Sequence, residues 1–267
     1  MVHKGHHRSL RLSAAGYQIS VEAAGPPVPW NPEGTGPEGQ LARISFLPLH
    51  WFVHSLATPV QYSVAGPNGL LSEGKGLAHM EKNWGSYFPD AWVWGQGAAS
   101  QVKLAFAGGV IPLGTKLVKP SVWVVGLRTE SLSWDFSPLF PNTALFWPRI
   151  DACNGEFELE AVQLTHLVKI KVKADPNSFL KGLLCPTKTG FRNMSDETFT
   201  ARVVVEAYER RLHKLEWRPR LLERRVLNKF ALEFGGDHRC QQFSRCGDAW
   251  QALDKVEPHC SEPFSKT

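Results

Sequence analysis

Three chemically different polar side chains stand next to each other in one segment of the chain. Glu81, Lys82 and Asn83 are consecutive, and Trp84 follows them directly. They place a carboxylate, an amine and an amide side by side immediately before an aromatic cluster, an arrangement that a loop without a function would seldom have. The segment is therefore a candidate functional segment. A salt-bridged turn in front of a strand is the alternative interpretation.

Large aromatic residues lie close to this segment. Trp84, Trp92 and Trp94 fall within eleven residues, in a chain that contains ten tryptophans. Aromatic side chains at alternate strand positions can line the inside of a barrel, where they hold an apolar ligand and stabilise a cation. The residues expected in such a wall are Trp51, Trp84, Phe88, Trp92, Trp94 and Trp134. A barrel core filled by these side chains, without a ligand, is the alternative.

The composition is that of a globular chain whose positive charge is concentrated in one place. Hydrophobic residues make up 43% of the 267 residues, which excludes wholesale disorder. No apolar run approaches the ~18 residues of a membrane span. The net charge is +5, yet residues 210–229 alone hold eight basic and two acidic side chains. We therefore expect no nucleic-acid partner; this segment favours a peripheral contact with acidic lipid, and a solvated charged face is the alternative.

Short strands separated by turns dominate the sequence from residue 41 onward. Val168, Ile170 and Val172 alternate with three lysines, which is the period of a half-buried strand. Pro67 and Asn68 between two such runs predict a hairpin. Strands are predicted at 49–54, 60–64, 91–95, 101–107, 121–126, 131–136, 156–163, 167–173, 198–207 and 229–234. This succession predicts an all-β fold, an antiparallel sandwich or barrel, rather than an α/β sheet.

Composition divides the chain into three parts. Residues 25–39 contain five prolines and four glycines, so residues 1–40 are expected to form a flexible N-terminal arm. Residues 41–237 form the predicted β domain, and the polar residues 238–267 form an irregular tail. In the basic segment Pro219 interrupts a partly helical leucine spacing, which leaves a helix and an exposed loop or hairpin extension both open. The first 21 residues lack acids, as in a transit peptide, but the compartment is left open.

The cysteines show no repeated spacing. They are Cys153, Cys185, Cys240, Cys246 and Cys260. An odd number at this density favours a reducing compartment or mostly free thiols over a secreted disulfide scaffold. The spacing of Cys240 and Cys246 beside His238 matches no tetrahedral zinc template, so we predict no metal site.

Several segments occur in the order of a known family signature. Glu81-Lys82-Asn83-Trp84-Gly85 is followed by Phe88-Pro89 and then by Trp92-Val93-Trp94-Gly95-Gln96. This series resembles the Glu-Lys-Asn-Trp-Gly, Phe-Pro and Trp-x-Trp-x-Gln motifs of tocopherol cyclases and their relatives. Other segments similar to that family are Pro48-Leu49-His50-Trp51, Ala107-Gly108-Gly109, 133–138, 205–210 and 231–236. The resemblance covers about residues 48–236.

The resemblance implies a reaction and roles for particular residues. Tocopherol cyclases close the chromanol ring of vitamin E from a prenylated hydroquinone without a metal or organic cofactor, so a prenylated quinol or related isoprenoid is the expected partner. An acid protonates the alkene nearest the ring, and the phenol oxygen captures the tertiary cation. The resemblance makes Glu81 the acid and lets Lys82 and Asn83 position the quinol oxygens or fix the loop. His50 would accept the phenol proton or be a core histidine, and Gln96 would donate to a quinol oxygen.

The resemblance also implies an architecture. The family is thought to consist of two lipocalin-like β-barrel domains, related to carotenoid hydratases and to some fungal pericyclases. Only 47 residues precede Pro48, so we expect a match mainly to the C-terminal half, with the N-terminal half truncated. Two alternatives stay open: a non-catalytic lipocalin-like carrier of a hydrophobic isoprenoid, and a hydratase or pericyclase on the same scaffold.

Overall fold

The chain folds into β-strands. The computed structural model describes residues 9–43, 47–110, 120–139, 141–210 and 219–240. Within these ranges the strands are β1 (Ser9–Ala14), β2 (Tyr17–Ala23), β3 (Leu49–Gly66), β4 (Gly69–Gly85), β5 (Ala91–Ala99), β6 (Val102–Val110), β7 (Ser121–Thr129), β8 (Ser133–Phe136), β9 (Leu145–Asp151), β10 (Glu156–Val162), β11 (His166–Lys173), β12 (Leu180–Thr187), β13 (Gly190–Glu209) and β14 (Arg220–Gly236). Short 3-10 turns lie at Gly39–Arg43, Ala152–Asn154 and Pro176–Ser178. The predicted all-β class is confirmed.

The strands form two antiparallel sheets. The smaller sheet has the order β1-β2-β3-β4, and the predicted turn at Pro67 and Asn68 joins its two long strands. The larger, ten-stranded sheet has the order β8-β7-β6-β5-β14-β13-β11-β10-β9, with β12 paired to β13. Strand β5 follows the smaller sheet in sequence and enters the middle of the larger one. The two sheets are therefore joined by the short segment 86–90.

The larger sheet curls around the main hydrophobic core. Phe106 on β6 stacks on Phe157 of β10 with ring centroids 4.9 Å apart, although four strands separate β6 from β10 in the sheet. Phe106 also stacks on Phe230 of β14, at 5.8 Å. Contacts between such distant strands require a curved sheet, so the ten strands form an antiparallel half-barrel with the core on its inner side.

The opposite face of this half-barrel packs against the smaller sheet. Trp51 and Val53 of β3 join Ala105 of β6 and Val124 of β7 in a second buried cluster. Side chains alternate between the two faces of a strand. On β5, accordingly, Val93 belongs to the main core, and Trp94 packs against the second cluster. The Trp-x-Trp spacing thus turns both tryptophans toward the space between the sheets.

The predicted N-terminal arm differs from the structure. From Ser9 onward its residues include β1 and β2, and β2 pairs with β3. Trp30, within the proline-rich stretch, is only 3% exposed because it packs against Trp51 with ring centroids 5.4 Å apart. The prolines do exclude strand and α-helix from 25–38, but burial of an aromatic side chain holds this segment against the sheet.

The basic segment and the tail are only partly described. Strand β13 continues to Glu209 and β14 begins at Arg220, so the described residues of the basic segment that belong to these elements form strands. They match the predicted hairpin extension rather than the helix. Residues 211–218 lie outside the described ranges. Of the predicted tail, 238–240 follow β14, and 241–267 lie outside. Among the described residues no helix is long and apolar enough to cross a membrane.

The prediction of mostly free thiols is wrong for two cysteines. Cys153 and Cys240 form a disulfide with Cα atoms 4.7 Å apart, although 87 positions separate them in sequence. The fold brings the turn before β10 next to the residue that follows β14, and sequence spacing does not show this proximity. Cys185 is free and buried, and Cys246 and Cys260 lie outside the described ranges.

Replacing Phe106 tests the curled core. Phe106 is fully buried between Phe157 and Phe230, so Phe106→Ala is expected to lower the free energy of unfolding by about 3–5 kcal/mol. Phe191→Ala is the matched control, since this ring is 71% exposed and its loss should cost less than about 0.5 kcal/mol. Urea unfolding measures both. Equal effects in the two variants would contradict the half-barrel core.

Candidate active site

A cavity of about 270 Å³ lies between the two sheets. Its wall is mostly apolar and includes indoles from both sheets, with Trp51 on β3 and Trp92, Trp94 and Trp123 on the half-barrel. Asn83 and four carboxylates supply polar groups: Glu38, Glu81, Glu197 and Glu233. An apolar cavity with a few convergent polar groups is the usual form of a small-molecule site.

Glu81 is held by donors from both sheets. The indole Nε1 of Trp51 donates to Oε2 of Glu81 at 2.9 Å, and the indole Nε1 of Trp94 donates to the same oxygen at 3.1 Å. Nε2 of His79 lies 2.9 Å from this oxygen as well. Three nitrogen atoms therefore surround one carboxylate oxygen of Glu81.

Glu233 lies in the middle of the half-barrel face. The indole Nε1 of Trp92 donates to its Oε1 at 2.7 Å. Burial raises the pKa of Glu233; the hydrogen bonds from Trp92 and Ser195 act in the opposite direction, and the negative charges of Glu81 and Asp196 raise it further. The carboxyl of Glu233 therefore favours its neutral form more than an exposed glutamic acid does.

Glu197 is the cavity carboxyl with the fewest partners. Its carboxyl group forms no hydrogen bond and no ion pair with any other residue that the structure describes. Burial, followed by the charges of Glu233 and Glu81, raises its pKa to about 7. A carboxyl with this pKa can act as a proton donor near neutral pH.

The motif that first indicated chemistry is divided between the two faces of β4. Glu81 and Asn83 face the cavity, whereas Lys82 and Trp84 lie on the opposite, outer face and form a shallow groove there with Phe52 and His54. The cause is the two-residue period of a strand. Consecutive residues of the motif cannot all reach one substrate from an extended strand.

His50 also lies outside the cavity. It pairs with Trp84 across β3 and β4 and stacks on that indole at 5.1 Å. Its Nδ1 lies 2.8 Å from Oε2 of Glu38, while Oε1 of Glu38 accepts the backbone N–H of Trp51 at 2.7 Å. His50 is therefore a buried residue that joins β3 to the segment before it.

The other predicted wall residues fall into two groups. Phe88 lines the cavity and packs on Trp92 with centroids 5.0 Å apart. Gln96 and Trp134 do not line it. Gln96 follows Trp94 on the same face of β5, but its strand partners are Ala105 and Ala231. Trp134 lies on β8 and stacks on His166 at 4.3 Å.

Sequence reasoning missed Glu38, Glu197 and Glu233 as cavity residues. Glu233 falls in a predicted strand, and Glu197 directly precedes one. Their alternation gives a face for each residue, but nothing local shows which strands become neighbours. The missing information is the register that pairs Glu197 with Glu233 and Glu233 with Trp94.

The fold and the cavity define an antiparallel β protein with an internal space of small-molecule size. The model of the family described as "Tocopherol cyclase-like" matches residues 67–236, which is more than half of the chain. The chain therefore belongs to the tocopherol cyclase-like family, as the motifs predicted.

Two curated plant proteins show the same relationship over part of their length. The chain is 28% identical over 150 residues to "Probable tocopherol cyclase, chloroplastic" of Oryza sativa subsp. japonica. This alignment covers 54% of this chain and 31% of the rice protein. It is 28% identical over 142 residues to "Tocopherol cyclase, chloroplastic" of Zea mays, covering 50% of this chain and 28% of that protein. The chain matches about a third of the length of each relative.

Solved structures give a more distant similarity. Kievitone hydratase from Nectria haematococca aligns over 86% of this chain and 65% of its own, with 10% identity and a TM-score of 0.43. CghA, solved with Sch210972, aligns over 83% of this chain and 62% of its own, with 10% identity and a TM-score of 0.41.

The raised pKa of Glu197 predicts a pH-dependent stability. The folded protein binds a proton at Glu197 up to about pH 7, whereas an unfolded glutamic acid releases it near 4.5. The stability is therefore fully present below about pH 4.5 and is lost as the pH rises through 7. Glu197→Gln should remove this loss and be more stable than the wild type at pH 8, by about 1–2 kcal/mol after allowance for partial solvent exposure. Urea unfolding midpoints at pH 5 and pH 8 measure this. The same change in midpoint between the two pH values in both proteins would refute the prediction.

Gly235 keeps room for the indole of Trp92. A Cβ atom at Gly235 would lie 1.8 Å from the Trp92 ring on the neighbouring strand. Gly235→Ala must displace this indole and weaken its hydrogen bond to Glu233, at a cost of about 1–3 kcal/mol with altered tryptophan fluorescence. Gly76→Ala, where the nearest atom would be 4.0 Å away, is the control and should change neither. Unchanged stability and fluorescence in Gly235→Ala would show that Trp92 is not held in this way.

Proposed function

We propose that this protein closes a chromanol-type ring in a prenylated hydroquinone, by protonation of the alkene and capture of the cation by the phenol oxygen. The single observation that supports this most is a half-buried carboxyl, Glu197, with its pKa raised to about 7, in a cavity walled by indoles. Protonation of an alkene requires an acid that is still protonated near neutral pH, and the cation that results requires aromatic surface around it. Membership of the tocopherol cyclase-like family supports the same reaction class.

The cavity residues divide the work between binding and charge stabilisation. Trp51, Trp92 and Trp94 offer apolar surface to the isoprenoid chain and to the cation. The amide of Asn83, which lines the cavity, binds a quinol oxygen, the role that the family resemblance implies for it. Glu81, whose Oε2 is fixed by the two indoles and His79, provides a carboxylate facing the positive charge. Lys82 and His50 act on the other side of the sheet and serve its structure.

No cofactor is assigned to this reaction. The sum of alkene protonation and phenol addition is an isomerisation, so the substrate supplies every atom of the product. The basic segment 210–229 remains a proposal for peripheral contact with acidic lipid, which would suit a hydrophobic substrate.

The direct test is incubation of the purified protein with a phytylated dimethyl-hydroquinone, followed by chromatography for the chromanol. Wild type is expected to form product and to show quenching of tryptophan fluorescence by the quinol. Glu81→Gln is expected to lower turnover by about 10²-fold, because the carboxylate opposite the cation is lost, with quenching retained.

Other outcomes identify the alternatives. Quenching without any product from the wild type would refute the cyclase and indicate a carrier. A product heavier by one water would indicate a hydratase, in which water captures the cation instead of the phenol oxygen.

A further inference from the structure

We propose that Glu197 is the catalytic acid that protonates the alkene, with Glu233 as the positioning residue that keeps the proton on it, while Oε2 of Glu81 accepts hydrogen bonds from Trp51 and Trp94. The assignment rests on the proposed function and refines it. It moves the acid from Glu81, within the family motif, to a residue of β13 that lies more than a hundred positions further along the chain.

The strand register makes Glu197 and Glu233 direct neighbours. β13 pairs Glu197 with Glu233, and β5 pairs Trp94 with Glu233 on its other side. Residues paired in this way project from one face of the sheet, with Cβ atoms about 4.5–5.5 Å apart. Two ionised carboxylates at that separation repel each other, so a proton on one of them stabilises the sheet.

The distribution of hydrogen-bond donors decides which carboxyl holds this proton. Oε2 of Glu81 accepts from two indoles and contacts His79. Glu233 accepts from Trp92 and Ser195. The carboxyl of Glu197 has no hydrogen-bond or ion-pair partner among the residues that the structure describes. Hydrogen-bond donors stabilise the ionised form of a carboxyl. Glu197, which has none, therefore gains the least free energy from ionising and keeps the proton.

The other charged groups nearby leave this arrangement intact. The pKa of Glu197 is raised to about 7 by burial, by Glu233 and by Glu81. Glu38, the fourth carboxylate of the wall, is engaged by Nδ1 of His50 at 2.8 Å. Asp196, the neighbour of Glu197 in sequence, pairs with Arg239 at 3.0 Å. Both of these carboxylates thus have a basic partner, and Glu197 has none within the described ranges.

The reaction then needs one proton, which returns to its source. The neutral carboxyl of Glu197 gives its proton to the less substituted alkene carbon, and the π electron pair forms the new C–H bond. A lone pair of the phenol oxygen forms the C–O bond with the tertiary carbon. The phenol proton passes to the Glu197 carboxylate, directly or through water. Atoms and electrons balance, and Glu197 is neutral again.

The test compares the variants Glu197→Gln, Glu197→Asp and Glu158→Gln with the wild type. Glu197→Gln is expected to lower turnover by about 10²-fold or more, with unchanged quenching by the quinol, and Glu197→Asp should restore part of the activity. Glu158→Gln is the control, since this surface carboxylate pairs with Lys171 on the neighbouring strand and its loss should leave turnover unchanged.

The pH profile separates the role of Glu197 from that of Glu81. Wild-type turnover should fall as the pH rises through 7, because Glu197 loses its proton. In Glu81→Gln the fall should move to lower pH, since one of the negative charges that raise the pKa of Glu197 is gone. A position of the fall that is identical in wild type and Glu81→Gln would contradict the proposed coupling.

Infrared spectroscopy of the substrate-free protein gives a readout that does not depend on turnover. Near pH 6 the wild type should show the carbonyl band of a neutral carboxylic acid, and Glu197→Gln should lose intensity there, whereas Glu158→Gln should not. If the wild type forms no product but Glu197→Gln still loses this band, the proposed function is wrong, while the assignment of the proton to Glu197 is confirmed. Turnover of Glu197→Gln within about twofold of an active wild type, or an equal band in both, would overturn the assignment.

Discussion

The hydrogen bonds from indole N–H groups to half-buried carboxylates are the interactions on which the site depends. Trp94 on the half-barrel donates to Glu81 on the smaller sheet, so this bond crosses the interface between the two sheets. Trp51 donates to the same oxygen from within the smaller sheet. Placing a carboxylate in an apolar interface without hydrogen-bond donors would cost several kcal/mol of desolvation free energy. That cost is comparable to the whole free energy of unfolding of a small domain. The indole donors therefore make it possible for carboxylates to lie in this apolar interface.

The same bonds make three chemically identical side chains different. Glu81 has donors from both sheets, Glu233 has Trp92 and Ser195, and Glu197 has neither. Each donor favours the ionised form of a carboxyl and burial favours its neutral form, and burial raises the pKa of both Glu233 and Glu197. An enzyme that needs one carboxylate and one carboxylic acid at the same pH obtains both from glutamate in this way.

Local patterns were enough to predict the fold class and half of the site. Alternation predicted strands such as β11, and the motif around Glu81 and Trp92 predicted the family. Alternation also contained the information that Lys82 and His50 could not share a face with Glu81, since each lies an odd number of strand positions from a cavity residue. Glu197 and Glu233 could not be placed, because the register of β13, β14 and β5 joins residues as far apart in sequence as Trp94 and Glu233. Long-range register follows from the packing of the entire sheet.

The tryptophans also connect binding to acidity. Each indole that lines the cavity offers its ring carbons to an apolar ligand, while its N–H is used by a carboxylate. A ligand that displaced Trp92 would remove a donor from Glu233, and the ionised form of Glu233 would become less favourable. With Glu233 closer to neutral, Glu197 would lose part of the repulsion that retains its proton. In that case a ligand in the cavity would change the pKa of Glu197 through the single hydrogen bond between Trp92 and Glu233, an effect that neither the aromatic wall nor the carboxyl pair would provide alone.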